Sequence, residues 1–306
     1  MNQRSGGVAA LAAFLAVAMI WGSTWLVIKD QIAQASPQWT VTLRFACGAL
    51  GMAALVLVRG ESLRLPKGGM AVAVPLGLVQ FCFNFQFVYA AEGQLTSGLV
   101  AVIYALLMVP NALLGRLFLG SRVGGRFVAG SVVAIGGIAL LMLQEYRLAL
   151  AAGHGGSVPL GVGLTLCGLM GASTANVFQA SEGARRLPLL PVLAWAMVVG
   201  ALADALFALV LTGLPSLPTA PRFWGGVAFL GLIGSVATFP LYFWLIRLWG
   251  AGRAAYNGVL VPVVAMGLST AFEGYRWSAL AAGGAVLALS GLLIALTGNS
   301  PRKPSR

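Results

Sequence analysis

Polar side chains that interrupt long apolar runs are the residues of this sequence that could do chemistry. Gln80 and Asn84 lie four residues apart in one such run, and Asn176 and Gln179 lie three residues apart in another. On a helix, residues with these spacings share a face. Because amide side chains both donate and accept hydrogen bonds, each pair could recognise the polar groups of a small molecule. Hydrogen bonding to neighbouring helices is the alternative, and the sequence leaves both open.

Two tyrosines offer a second kind of recognition surface. Tyr104 precedes Pro110 by six residues, and Tyr256 precedes Pro262 by six residues, in similar runs of Ala, Leu and Val. A tyrosine can stack on a substrate ring and still offer its hydroxyl group for hydrogen bonding. Packing in the core is the alternative for any single aromatic residue.

Trp21 and Tyr242 complete the candidate site. Trp21 shares a predicted helix face with Thr24, and Tyr242 shares one with Thr238. Aromatic and hydroxyl groups on one face suit a small molecule that has both apolar and polar parts. The predicted substrate-binding residues are therefore Trp21, Gln80, Asn84, Tyr104, Asn176, Gln179, Tyr242 and Tyr256.

The residues that catalysis or metal binding would need are scarce. The 306 residues include one histidine, three cysteines and seven acidic residues. An enzyme of the hydrolase or transferase kind needs acids or histidines beside a nucleophile, and the acid nearest to His154 along the chain is Glu145. We therefore expect no metal and no cofactor, and a membrane-embedded enzyme is only a remote alternative.

The elements that must position the candidate residues are predicted to be transmembrane helices. The chain is 59% hydrophobic and only 8% charged, whereas soluble domains are about 45–50% apolar and about 25% charged. Because a span needs about 20 apolar residues, the sequence predicts an all-α integral membrane protein with ten transmembrane helices. The ten apolar runs are 8–28, 39–58, 70–91, 95–118, 127–143, 160–180, 189–211, 223–248, 254–272 and 280–296.

The basic residues predict the orientation of the chain in the bilayer. With the N-terminus inside, fourteen of the nineteen Lys and Arg residues fall in inner segments and four in outer loops. This bias follows the positive-inside rule and predicts an inner-membrane protein with cytoplasmic N- and C-termini. We therefore interpret the net charge of +12 as a signal that orients the chain in the membrane and as a contact with the lipid bilayer. No nucleic-acid partner is expected. The oligomeric state stays open, and a monomer is compatible with this architecture.

The two halves of the chain resemble one another. Residues 1–150 and 158–306 each hold five predicted spans, and a Gly-rich linker at 151–157 joins them. The runs Gly130 to Gly137 and Gly284 to Gly291 hold corresponding places. Because five is odd, the second repeat must enter the membrane in the opposite sense. Inverted repeats around a central cavity are typical of transporters, and matching helix interruptions indicate a site or a hinge. We therefore predict hinges at Pro110 and Pro262.

Several short motifs resemble the EamA family of the drug/metabolite transporter superfamily. They are Trp21-Gly-Ser-Thr, Leu43-Arg44-Phe45 and Thr96-Ser97-Gly98. The resemblance covers essentially the whole chain and implies a ten-helix exporter whose central cavity opens to alternate sides. One branch of the family exports aromatic and other neutral amino acids, and this sequence is compatible with that branch. Gly120-Ser121-Arg122 stands where the family often has a Glu.

The charges inside the spans narrow the expected substrate and mechanism. A diphosphate would need several basic residues along the cavity, and Arg44 is the only one inside a span. We therefore expect a neutral or zwitterionic metabolite, most of all a neutral or aromatic amino acid. No acid lies in the first span, and Glu92 and Glu273 fall at span ends, where solvation is expected. This favours facilitated diffusion (uniport) by alternating access. A proton-coupled drug, metabolite or sugar-type exporter is the alternative. Arg44 is expected to extend towards the bilayer surface. An ion pair with a carboxylate such as Asp204 and contact with the carboxylate of a substrate are the alternatives for this residue.

Overall fold

The computed structural model describes residues 3–121, 123–151, 157–249, 254 and 257–297. Within these ranges the chain forms helices joined by short loops, and no strand occurs. Tyr256 and residues 152–156 of the predicted linker lie outside the described residues. The long helices are α1 (Gln3–Ile32), α2 (Pro37–Val58), α3 (Gly69–Glu92), α4 (Ser97–Leu119), α5 (Gly125–Ala151), α6 (Ser157–Ala180), α7 (Leu189–Thr212), α8 (Pro221–Trp249), α9 (Asn257–Phe272) and α10 (Ala279–Thr297).

Eight of these helices, α1 to α8, are long and apolar enough to cross a membrane within the described part of the chain. The all-helical, membrane-spanning architecture is therefore confirmed. The last two helices contribute the shorter apolar segments Leu260–Phe272 and Ala279–Ala295. Both are shorter than the roughly 20 residues that cross a bilayer core, so ten spans stay a prediction.

Local sequence explains where several helices begin and end. Ser36 accepts a hydrogen bond from the Trp39 backbone at the start of α2, and Pro37 occupies the first turn, where a missing N–H costs little. Gly120 ends α4 with a φ of +65°, in the left-handed region that glycine adopts without strain. A short helix, Glu182–Arg185, connects α6 to α7.

Two helices contain a π-helical segment, and they are the third and the eighth in chain order. In α3, the segment Gly77–Phe83 separates the α-helical parts Gly69–Leu76 and Asn84–Glu92. In α8, the segment Phe229–Ala237 follows Pro221–Ala228 and precedes Thr238–Trp249. Helix segments of this kind are frequently found at functional sites. The two segments occupy corresponding helices of the two halves of the chain.

A third interruption lies in α4. A 3-10 turn at Ala105–Leu107 separates Ser97–Tyr104 from Met108–Leu119. The turn lies just before Pro110, whose ring displaces the carbonyl four residues earlier and which has no N–H to donate. The proline therefore explains why the helix tightens at this point.

The helices pack so that contacts between the halves occur in matching pairs. α1 packs against α8 and α9, as α6 packs against α3 and α4, and α2 packs against α8 as α7 packs against α3. The remaining extensive contacts join helices that correspond to each other, namely α2 with α7, α4 with α9 and α5 with α10. A chain with two similar halves would produce this arrangement.

The contact between α5 and α10, called here the glycine seam, brings two backbones together. Its four glycines are Gly130, Gly137, Gly284 and Gly291. A Cβ atom added at Gly137 would lie 2.3 Å from the backbone nitrogen of Ala288, far inside van der Waals contact. The small-residue pattern therefore lets the helices approach more closely than any side chain would allow.

Candidate functional site

A cavity of about 110 Å³ lies between helices of both halves of the chain. Its lining comes from α1, α2, α3 and α4 of the first half and from α6, α8 and α9 of the second. The glycine seam between α5 and α10 contributes nothing to it. The cavity thus lies where the two halves meet, and the interrupted helices α3, α4 and α8 all contribute to its lining.

Most of the predicted substrate-binding residues meet at this cavity. Those that line it are Trp21, Gln80, Asn84, Tyr104, Asn176 and Tyr242, and Pro262 lines it as well. Gln179 is buried but lies outside the lining, because three residues along a helix turn its side chain about 60° from Asn176. Pro110 is buried in α4 away from the cavity.

The wall formed by α1 and α8 is aromatic. The indole Nε1 of Trp21 donates a hydrogen bond to Thr238 Oγ1 at 2.9 Å, and the Thr238 hydroxyl donates to the carbonyl of Gly234 at 2.6 Å. The rings of Trp21 and Tyr242 lie 4.8 Å apart, and Phe239 lies 5.5 Å from Trp21. Gly234 belongs to the π-helical segment of α8. Trp21, from the first half of the chain, is therefore bound to the irregular part of a helix of the second half.

Another part of the lining combines an amide with a tyrosine. The hydroxyl group of Tyr104 donates a hydrogen bond to Asn84 Oδ1, and the ring of Trp25 lies 5.3 Å from the ring of Tyr104. Asn84 is the first residue after the π-helical segment of α3. This bond occupies the amide oxygen and leaves the amide nitrogen of Asn84 to donate to a ligand.

Arg44 does not extend to the bilayer surface, and the prediction that it does is wrong. Its side chain is only 1% exposed and lines the cavity. Its Nε donates to Ser235 Oγ at 3.2 Å, Nη1 lies 3.5 Å from the Tyr89 hydroxyl, and the guanidinium carbon lies 4.4 Å from the centre of the Phe85 ring. The side chain points into the bundle because these three partners lie on α3 and on the π-helical segment of α8.

Asp204 lies on the other side of α3 and forms no ion pair with Arg44. Its Oδ1 accepts a hydrogen bond of 2.8 Å from Gln86 Nε2, and its side chain is fully buried outside the cavity lining. Successive residues of α3 therefore face different neighbours. Phe85 contacts Arg44 at the cavity, whereas Gln86 turns towards α7 and binds Asp204.

Two charged side chains, Lys29 and Glu273, bind helix ends at the point where α3 ends and α4 begins. The ammonium group of Lys29 binds the backbone carbonyls of Glu92 and Leu95, the second at 2.7 Å. The carboxylate of Glu273 accepts hydrogen bonds from the Ser97 hydroxyl and backbone N–H at the start of α4. A cation at a helix C-terminus and an anion at an N-terminus are both favourable. Glu92 itself is fully buried, contrary to the expectation that span-end acids are solvated.

Several lining residues were not among the predicted site residues. They include Thr24, Trp25, Arg44, Phe85, Phe239 and Asn257, together with several aliphatic residues and Gly258. Thr24 could have been predicted as a lining residue, because it lies three residues after Trp21 and so shares its helix face. The amide of Asn257 makes no hydrogen bond to the described residues, and its place next to Tyr256 in an apolar run is the signal that could have found it.

A second cavity, of about 410 Å³, adjoins the first at Ala105 and Pro262. It lies between α4, α9 and α10, and its lining is apolar apart from Thr270 and Trp277. An apolar lining offers few hydrogen bonds, so the polar contacts to a ligand belong to the first cavity. Within the described ranges, no three His, Cys, Asp or Glu side chains come close enough together to hold a metal ion.

Comparison with known families identifies the chain. The model of the EamA-like transporter family matches residues 8–143 and 159–297. The chain belongs to the EamA-like transporter family. The two matched ranges exclude residues 144–158, which include the predicted linker.

Individual relatives agree with this family assignment. The chain is 29% identical to the uncharacterized inner membrane transporter YedA of Escherichia coli strain K12, over 86% of this chain and 82% of YedA. It is 25% identical to the probable amino-acid metabolite efflux pump of the same strain, over 98% of this chain and 97% of the pump. A crystal structure of a protein with 20% sequence identity superposes with a TM-score of 0.67 over 97% of this chain and 99% of the other. That likeness shows that the fold is shared. Its membership of the EamA-like transporter family makes the molecule a membrane transporter.

Proposed function

We propose that this transporter exports small metabolites, above all neutral and aromatic amino acids, across the inner membrane. The observation that carries the proposal is the cavity between the two halves, whose walls combine aromatic rings with amides. Its volume of about 110 Å³ is close to that of an engineered cavity of about 150 Å³ that admits benzene. A single ring or a short apolar side chain suits this space. A relative named as a probable amino-acid metabolite efflux pump supports the same class of substrate.

The mechanism we propose is alternating access by two inverted repeats of five helices, residues 1–150 and 158–306, joined at 151–157. The matching contacts, α1 with α8 and α9 and α6 with α3 and α4, support this arrangement. Both termini would then lie in the cytoplasm, with Pro110 and Pro262 as hinges. The 3-10 turn next to Pro110 and the position of Pro262 at the cavity favour movement at these two points.

The substrate would contact six of the residues predicted from the sequence. These are Trp21, Gln80, Asn84, Tyr104, Asn176 and Tyr242, and Tyr256 stays a prediction from the sequence. Aromatic rings provide apolar contact, and the amides provide hydrogen bonds to the amino and carboxyl groups of an amino acid. Gln179 is left out of the proposed site because it lies outside the lining.

A proton-coupled exporter is the second candidate. It is favoured by two carboxyl groups that are completely buried, those of Glu92 and Asp204. Uptake or release of a proton by either group would change the charge inside the bundle, and ionisable residues at membrane depth are commonly functional. Uniport remains the first choice because neither residue lines the cavity.

The test is transport by the purified protein in proteoliposomes. Liposomes preloaded with unlabelled phenylalanine should accumulate labelled phenylalanine by exchange, and unlabelled tyrosine or leucine should compete with it. Glucose and a cationic drug should not compete. Exchange stimulated from the opposite side separates alternating access from a pore. Leu50→Ala, at a side chain on α2 that is 75% exposed, serves as the control variant and should transport like wild type.

The same assay separates the candidates. Downhill flux that persists after the pH gradient is collapsed supports uniport, whereas flux lost with the gradient supports the proton-coupled alternative. A protein that remains folded in the liposomes but exchanges none of the amino acids would refute the proposed substrate class.

A further inference from the structure

Arg44 is the charged member of the described cavity lining, and it has no counter-charge. The described residues form two ion pairs, Arg186 with Glu182 and Arg222 with Asp30, and Arg44 takes part in neither. The side chain is only 1% exposed. A buried charge is costly unless an opposite charge or a strong set of hydrogen bonds compensates for it. The cavity therefore holds a cation whose natural partner is an anion.

The contacts that Arg44 does make are all with uncharged groups. Ser235 accepts a bond from Nε, the Tyr89 hydroxyl lies near Nη1, and the guanidinium group lies over the Phe85 ring. A cation over an aromatic face is stabilised, but its charge is not neutralised. These three contacts hold the guanidinium group in place from α3 and α8 together.

Part of the guanidinium group remains free to bind a ligand. Nη2 makes no hydrogen bond to the described residues. It lies beside Gly234 of α8, where an added Cβ would be 3.7 Å from Nη2. A guanidinium group has five N–H donors in a planar fork, and this fork matches the two oxygens of a carboxylate. Gln80 Oε1 and the Asn257 amide, which also line the cavity, have no hydrogen-bond partner among the described residues.

We propose that Arg44 binds the carboxylate of the transported molecule, so that the substrates are small monocarboxylates with an apolar or aromatic side chain. The proposal rests on the proposed export function, and it adds the group that is recognised and the residue that recognises it. One cation balances one carboxylate. The aromatic wall of Trp21 and Tyr242 then contacts the side chain of the substrate.

The first test compares ligands on the wild-type protein. L-phenylalanine and L-phenylalaninamide have nearly the same shape, but only the first has a carboxylate. 3-Phenylpropanoate retains the carboxylate and lacks the amino group. In competition with labelled phenylalanine, the amide should bind at least tenfold more weakly than phenylalanine, and 3-phenylpropanoate should compete. Equal competition by acid and amide would overturn the inference while leaving amino-acid export intact, and a wild type that exchanges no amino acid would instead refute the export function.

The second test assigns the effect to Arg44. Arg44→Gln removes the charge, and the preference for phenylalanine over its amide should fall from at least tenfold to about one. Arg44→Lys keeps the charge without the fork and should retain an intermediate preference. Arg222→Gln, at an exposed arginine paired with Asp30, is the matched control and should keep the wild-type preference. A preference that survives in folded Arg44→Gln would show that Arg44 is a packing residue. If Arg44→Gln does not fold, the preference in Arg44→Lys decides between the two roles.

Discussion

The glycine seam and the central cavity are both built from corresponding helices of the two halves, yet they differ in almost every physical respect. At the seam, α5 and α10 approach until backbone touches backbone, because glycine occupies the points of closest approach on both helices. Around the cavity, rings and amides hold the helices apart. The size of the residues at the contact therefore decides whether a pair of helices forms a seam or encloses a space.

The regularity of the backbone follows the same division. Helices α5 and α10 run without interruption through their described lengths, whereas α3, α4 and α8 each contain a π-helical or 3-10 segment. Regular helices in close contact resist deformation, and interrupted helices with a space between them can bend. This contrast leads us to expect that the seam is fixed during transport and that the helices around the cavity move.

The largest effect is expected at the seam, from Gly137→Ala. Its new Cβ would lie 2.3 Å from a backbone nitrogen, so the helices must separate, at a cost of about 3 kcal/mol in the free energy of unfolding. The adjacent Gly136 faces open space, and Gly136→Ala should leave stability unchanged or raise it by up to about 1 kcal/mol. Thermal unfolding in detergent measures both variants. Equal stability of the two would show that α5 and α10 are not in close contact.

An intermediate effect is expected at the cavity, from Asn84→Ala. This change removes the acceptor of the Tyr104 hydroxyl and an amide that faces the cavity. A ligand group that binds this amide would be left buried without a partner, which costs about 1–3 kcal/mol, so the apparent affinity for phenylalanine in the exchange assay should fall about five- to a hundredfold. Loss of the bond to Tyr104 costs about 0.5–1.5 kcal/mol, so stability should fall less than in Gly137→Ala. Unaltered affinity in a folded variant would mean that Asn84 serves packing alone.

The smallest effect is expected within α6, where a comparison of two amides tests where the cavity ends. Asn176 lines it and Gln179, one turn further on, does not. Asn176→Ala should weaken apparent affinity about two- to tenfold, as expected for one neutral hydrogen bond of about 0.5–1.5 kcal/mol. Gln179→Ala should have wild-type affinity. The reverse order would place the substrate on the other face of α6.

Much of the helical frame and of the cavity lining could be predicted from the sequence. Long apolar runs define the spans because a bilayer accepts little else. Amides and tyrosines within those runs are costly unless they face a cavity or a partner, which is why Gln80, Asn84 and Tyr104 are found at the cavity. Helical spacing alone was less reliable. Asn176 and Gln179 are close enough in spacing to share a face, but only the first reaches the lining.

Other features depend on contacts between distant parts of the chain and could not be predicted from local pattern. Arg44 lies near the beginning of α2, and nothing local shows that Ser235, in the π-helical segment of α8, lies close enough to bind it. Glu92 stands at the end of α3, where solvation is the usual outcome, but Lys29 and neighbouring helices enclose it. The π-helical segments have no sequence period of their own.

The π-helical segments separate the length of the chain from the direction in which its side chains face. A hydrogen bond from residue i to i+5 encloses one residue more than the bond of an α-helix, so a π-helical segment takes up one extra residue within the same stretch of helix. Deleting one residue from Gly77–Phe83 would therefore allow α3 to become regular, while Asn84 and Phe85 keep facing the cavity and Gln86 keeps facing Asp204. In the regular helix α6, the same deletion would instead turn every later residue by about 100°. In an alignment of relatives, a one-residue gap in the π-helical segment of α3 or α8 would therefore be compatible with the same binding site, whereas a gap within α6 would mark a different one.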